Sequence, residues 1–335
     1  MRNSASLLIL SLILAACGGG GGSDAPAASN QNPAPAAKAT LSAENYVAVA
    51  QESLSSSSYL ADASTLAVGA EVNDANVLVR FGQAQAGKLP GRLAGTQALV
   101  TGATTSTTEQ CSGGGTVAIV ENDLNGNALP DAGDSVLLTA TNCIFEGSSF
   151  SGALSLTVNS FSGDIDTAPF SAVFTMTFDN LTARSTSASS TGNGTMVLSL
   201  NAPTSSSQTA SLKSTQFTTT STYGSASYSR TLDDYTVVVD SKTQSFNNRS
   251  TTTAAAGTLT SSAFDSKSVT IATPVPFVRT FTQRYPASGQ ATATGANGAV
   301  VRVTAISNTQ VMIELDADAN GSFETSVTKL WSELT

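Results

Sequence analysis

The chain has no histidine among its 335 residues. That excludes Ser-His-Asp and Cys-His catalysis and every metal centre built on imidazole. Charge is scarce, with 15 Lys and Arg against 24 Asp and Glu, a net of −9. Nucleic acid is a poor partner for that balance, because phosphate binding needs a basic face. Trp occurs once and Cys three times. What the chain has instead is hydroxyl: Ser and Thr make up 93 residues. The hydrophobic share of 40% is enough to build a core, and charge is too sparse for an ordinary disordered chain.

The N-terminus reads as an address. Met1-Arg2-Asn3 is a short positive start, and Leu7 to Leu14 is an apolar run too short to span a bilayer. The run closes on Leu14-Ala15-Ala16-Cys17. This resembles the lipobox of bacterial lipoproteins: Leu, a small residue, Ala or Gly, then Cys. The resemblance implies a signal peptide over 1–16, cleavage before Cys17, and a diacylglyceryl (palmitate-type) group on its thiol. Gly18 stands where an Asp would hold such a protein at the inner membrane, so the resemblance implies the outer membrane of a Gram-negative envelope. Residues 17–40 read as the lipidated Cys and a flexible Gly/Ala/Pro linker.

Residues 41–96 read as a short helical or loop segment. Ser42 is a candidate cap, and Tyr46, Val47, Ala50 and Leu54 recur at helical spacing, predicting a helix over about 43–54 that ends at Ser55–Ser58 or continues loosely through Tyr59, Leu60 and Leu66. A weaker helical piece is expected over Val72 to Phe81. From about residue 97 the period becomes two. Phe170, Ala172, Phe174, Met176 and Phe178 alternate with Ser171, Val173, Thr175 and Thr177. The same alternation runs through Leu154–Val158, Met196–Leu200, Tyr235–Val239, Val301–Ala305 and Val311–Leu315. One apolar and one hydroxyl face is the pattern of antiparallel sheet with a dry and a wet side. At least ten strands are expected over 97–335, as one all-β domain: a large curled sheet, a sandwich or a barrel-like body.

Thr116–Val120 and Ser135–Thr139 read as a hairpin centred on Asn127, in which opposed residue numbers sum to 254. Cys111 and Cys143 give the same sum, which sets them opposite one another at disulfide distance. Export permits the bridge.

Inside that hairpin, Asp123, Asn125, Asn127, Asp131 and Asp134 fall at positions 1, 3, 5, 9 and 12 of a twelve-residue loop. The segment resembles the calcium loops of EF-hand and dockerin-type proteins. By that resemblance these five side chains and the Leu129 carbonyl would be calcium ligands. It departs from the pattern at position 6, which is Ala128 with the Gly at position 4, and at position 12, which is Asp rather than Glu. A polar hairpin loop is the competing reading. Asp316, Asp318, Asn320, Ser322 and Glu324 form a second, weaker calcium candidate. It has Gly321 at position 6 but Val327 at position 12, and Asn320-Gly321 also reads as a two-residue hairpin turn.

No catalytic residue is assigned. Ser326 and Lys329 match Ser-x-x-Lys, but in a strand residues three apart face opposite sides. Glu121 with Asp123 and Asp233 with Asp234 are the nearest thing to carboxylate pairs. Trp331 reads as a plug for one sheet end. Tyr285–Gly289, Gly295–Val303, Asp316-Ala317-Asp318 and Trp331 resemble the tail of proteobacterial envelope lipoproteins that transfer no activity. The expectation is a lipid-anchored envelope protein with no enzymatic activity, acting as a structural or interaction module. Its partners would be the membrane, through the anchor, and an envelope protein. The alternative is a carrier of a lipid or other apolar ligand, and a lesser one a hydrolase using carboxylates alone.

Overall fold

A computed structural model describes residues 35–64, 76–95, 103–165, 167–245, 248–280 and 282–334. The expected signal peptide over 1–16, Cys17 and the expected linker up to residue 34 lie outside the described residues, as does most of the first half of the Val72–Phe81 piece. Residues Ala36–Thr335 form one unit that holds both helices and every strand.

Fourteen strands follow one another in a single antiparallel sheet, each paired with its sequence neighbours. The first four are β1 (Ala103–Gln110), β2 (Thr116–Asp123), β3 (Ser135–Phe145) and β4 (Ser148–Asp164). The long central strands are β5 (Thr167–Arg184), β6 (Ala188–Thr204), β7 (Ser207–Tyr223), β8 (Ala226–Ser245) and β9 (Asn248–Ser261). The last are β10 (Lys267–Thr280), β11 (Ser288–Thr294), β12 (Val300–Ala305), β13 (Gln310–Asp316) and β14 (Thr325–Leu330). Of the three architectures the alternation allowed, the chain adopts the curled sheet. Among the described residues no pairing joins β1 to β14. Both edges are polar and exposed, which blunts them against further strand addition.

The period-two residues point one way. Leu154, Phe174, Met176, Leu198, Leu212, Val237 and Val301 are buried, while their Ser and Thr neighbours face water. A dry face this wide must be covered, and two helices cover it. Helix α1 (Tyr46–Ser64) lies over β7 to β9 and β11 to β13, and α2 (Asn76–Gly95) lies over β2 and β4 to β6.

Helix α1 takes the longer of its two expected courses, through Leu60 to Ser64, and α2 outruns its expectation. In α1 the serines do not end the helix. Ser53, Ser56 and Ser57 donate to the carbonyls four residues back at 2.7–2.9 Å, so their hydroxyls are satisfied along the helix. Ser42 does hold the start, its carbonyl accepting from Tyr46 N at 3.0 Å and its hydroxyl from Glu44 N at 3.3 Å. Helix α2 continues through Pro90 to Gly95, well past the expected Phe81. Packing overrides its poor propensity. Val77, Leu78, Val79, Phe81, Leu89 and Leu93 are all buried, and Phe81 stacks on Phe150 at 4.5 Å. Gly82 allows the close approach, since a Cβ there would lie 3.2 Å from both Met176 Sδ and the Phe178 ring.

Cys111 and Cys143 are bridged, with Cα atoms 5.4 Å apart. The register that led to them is corrected: β2 pairs β3 with Thr116 opposite Thr141, so opposed numbers sum to 257. Cys111 sits in the β1–β2 turn, off the strand. A register shift between Ala140 and Cys143, with Asn142 at φ 49°, absorbs the difference. The turn then continues the ladder through Ile144 N and the Gly114 carbonyl at 2.9 Å. Closing a loop over a separation of 32 residues contributes roughly 3–4 kcal/mol in the chain-entropy view.

The sheet has one seam. β9 and β10 pair at both ends, but between Val269 and Phe277 the register shifts. Pro274 and Pro276 have no amide hydrogen to donate. The Thr273 hydroxyl fills in, donating to the Ala255 carbonyl at 2.9 Å and accepting from Ala255 N at 3.0 Å. Val275 is pushed outward and is half exposed.

Candidate functional site

The two acidic loops connect β2 to β3 and β13 to β14, and antiparallel order sets them at opposite rims of the sheet. They share one backbone. The Asp that ends the strand accepts from amides in the loop: Asp123 from Gly126 N and Ala128 N, both at 2.8 Å, and Asp316 from Asn320 N and Gly321 N at 3.1 and 2.9 Å. The third residue caps the fifth amide, Asn125 to Asn127 N and Asp318 to Asn320 N. The fifth caps the seventh, Asn127 to Leu129 N and Asn320 to Ser322 N, both at 2.7 Å. Positions 4 and 6 are left-handed in both loops: Gly126 (φ 71°) and Ala128 (61°) in one, Ala319 (59°) and Gly321 (87°) in the other. The glycine that looked misplaced in the first loop therefore serves a backbone with two left-handed positions, of which each loop gives glycine to one.

The loops differ in what their oxygens do. In the second, one oxygen from each of Asp316, Asp318 and Glu324 lies within 4.8 Å of the others. Glu324 also accepts from Ala317 N at 3.0 Å. A hard divalent cation fits three converging carboxylates. The expected two-residue turn at Asn320-Gly321 is corrected: eight residues separate Asp316 from Thr325, and Arg302, paired with Glu314 at 2.7 Å, stacks under Phe323 of this loop. In the first loop Asp131 receives the amide nitrogens of Asn125 and Asn127 at 2.7 and 2.6 Å, which hold its carboxyl below the usual carboxylate range. Asp134, fully buried, accepts from Leu124 N and Asp131 N. Leu129 is exposed at the tip. For calcium to enter here, both Asn amides would have to turn their oxygens inward.

The polar contact that sequence reasoning missed joins α1 to the sheet. Glu52 accepts two bonds from Arg230, at 2.8 and 2.9 Å, and one from Ser261 at 2.7 Å. One turn on, Ser57 bonds the hydroxyl of the buried Tyr235 at 2.8 Å. Burial acts to raise the Glu52 carboxyl, but the hydrogen bonds and charge of Arg230, with Ser261, outweigh it and hold it below its ordinary value of 4.5. Burial pushes Tyr235 up to about 12. The available signal was Arg230 itself, an ion at a position in phase with the inward-facing Leu232.

The remaining acids are engaged structurally. Glu121 accepts from Thr105 at 3.2 Å and Asp233 from Gln216 at 3.1 Å, while Asp234 occupies a register shift at φ 44°. Lys329 pairs with Glu333, away from Ser326 on the alternate face of β14. Trp331 is buried at one rim, stacked on Tyr285 and donating to the Ser307 carbonyl. A cavity of about 120 Å³ lies between α1 and the β9–β10 turn, lined by Asn45, Val49, Phe264, Asp265 and Lys267. No family model matches the chain, and neither a curated protein nor a solved structure is significantly similar to it.

Two outcomes are expected. Ala128→Gly and Ala319→Gly each relieve a left-handed residue and should stabilise the protein by roughly 0.5–1 kcal/mol in urea unfolding; a loss of stability in both would contradict the shared loop backbone. Glu52→Gln should cost about 2–3 kcal/mol at pH 7, because it leaves Arg230 unbalanced. A depressed carboxyl stabilises above its unfolded value and loses that contribution as pH falls through the folded value. The gap between wild type and variant should therefore narrow below about pH 4.5, the ordinary carboxyl value; a constant gap from pH 7 to 3 would refute the latch.

Proposed function

We propose that this chain is a lipid-anchored cell-envelope protein whose all-β body is a non-enzymatic structural or interaction module. The reading of place rests on Leu14-Ala15-Ala16-Cys17. The reading of role is supported by the filled trough: the dry face of the sheet is occupied by the chain's own α1 and α2, with Leu60, Leu78, Leu89 and Leu93 fully buried. The hydroxyl-rich face is what the body presents outward. A carrier of an apolar ligand is the second reading, and α2 favours it in one respect. A helix interrupted by Gly82, Gly87, Pro90 and Gly91 is held by packing alone, and it fills the volume such a ligand would take.

The anchor is tested by metabolic palmitate labelling and by Cys17→Ser. Label in the wild type and its loss, with release from membranes, in the variant is the expected result. An unlabelled wild type ends the proposal of place. Mass spectrometry of the same purified protein reads the role, since a stoichiometric lipid besides the anchor would select the carrier.

Calcium is proposed as a stiffener of the β13–β14 loop, held by Asp316, Asp318 and Glu324. Ligand that binds only the folded state raises the melting midpoint with concentration. Millimolar calcium should raise it by a few degrees over EGTA, and Asp318→Asn with Glu324→Gln should abolish the rise. An unchanged wild-type midpoint removes calcium from the protein.

A further inference from the structure

The charge of this acidic chain is unevenly divided. Residues 241–313 hold six cations and one acid, Asp265, a net of +5, whereas the remaining nine cations and 23 acids give −14. Within that segment Arg302 is paired with Glu314, and Lys267 lies at the rim of the β9–β10 turn. Lys242, Arg249 and Arg279 gather at the opposite rim, where β8 ends, β9 begins and β10 ends.

The register sets their spacing. Arg249 lies opposite Thr243 and Arg279 opposite Thr251, so the two arginines are diagonal neighbours on one face, about 7–8 Å apart. Lys242, opposite Ser250, stands on the other face of the same rim. Among the described residues none of the three has a carboxylate within ion-pair distance. Thr251, Thr280 and Gln283 supply uncharged hydrogen-bonding groups beside Arg279, which also donates to the Arg284 carbonyl, while Asp240, two residues before Lys242 on the same face of β8, accepts from Thr209.

We propose that this rim binds an acidic polysaccharide. Cations spread over three adjacent strand ends and both faces of the rim suit charges repeated along a chain better than a single ion, and the hydroxyls and amide beside Arg279 suit sugar hydroxyls. The rim is also remote from the body's own beginning. Ala37 and Ala39 are hydrogen-bonded to Ser268 at 2.8 Å, eleven residues along β10 from Arg279, roughly 35 Å of strand. Arg279 thus stands at the other end of β10 from the pairing of Ala37 and Ala39 with Ser268. This deepens the interaction role proposed above by naming the partner's chemistry. Its test does not use the anchor, so failure here leaves the anchor untouched.

The experiment measures binding of the full-length protein in neutral detergent to immobilised polygalacturonate from 20 to 300 mM salt. Parallel arms use phosphatidylglycerol vesicles and duplex DNA. Lys242→Gln, Arg249→Gln and Arg279→Gln combined should weaken polygalacturonate binding at least tenfold at low salt and flatten its salt dependence. The charge-matched Lys88→Gln, Arg184→Gln and Lys213→Gln combination should bind as the wild type does, within twofold. Near-ultraviolet circular dichroism establishes that each variant is folded. Absence of wild-type binding, equal losses in the two triple variants, or rim-dependent binding to vesicles or DNA in place of the polysaccharide would each overturn the proposal.

Discussion

The fold depends on a sheet with one dry face. Fourteen antiparallel strands in sequence order, the inner ones mostly alternating apolar with Ser or Thr, make a surface that water cannot be left to cover. A barrel would close on itself and a sandwich would supply a second sheet. Among the described residues the strands form one sheet, and no pairing joins β1 to β14. The chain puts two helices from the N-terminal side into the trough. Their burial substitutes for a second layer, and the Glu52–Arg230–Ser261 contact, with Ser57 on Tyr235, sets how α1 sits there.

The alternation was readable because a strand's two faces repeat every second residue, and nothing local competes with that signal from Leu154 to Leu315. The helices were not, because their information is tertiary. The glycines and Pro90 of α2 read as breakers and become tolerable only against Met176, Phe178 and Phe150, residues far away in the chain. The disulfide partners were legible while the register was not, because a bulge at Asn142 moves a ladder without moving its neighbours far. Spacing of oxygens was also visible, but not their direction. The second loop gathers three carboxylates, whereas the first turns two amide nitrogens onto Asp131. Both use a backbone with two left-handed positions, which a motif that places one glycine cannot express.

Polar groups on the two sides of this sheet have separate roles. Inside, an ion pair and a Tyr hydroxyl fix the helix that fills the trough. Outside, hydroxyl pairs such as Ser189–Thr222 and Thr218–Thr231 tie neighbouring strands together without charge. The rims carry acid-rich loops at β2–β3 and β13–β14 and a basic corner at the ends of β8 to β10, while Arg302 and Glu314 pair across β12 and β13.

The arrangement of α1 has a consequence for assembly. Glu52 must wait for Arg230, 178 residues later, and for Ser261, 209 residues later, before its charge is balanced. As the chain is synthesised the helices emerge first and much of their seat emerges last. Contacts of such long sequence separation form slowly. Until the later strands arrive, the apolar faces of both helices have no native surface to meet, so a holdase acting on the newly made N-terminal third would shield the segment most prone to stray association.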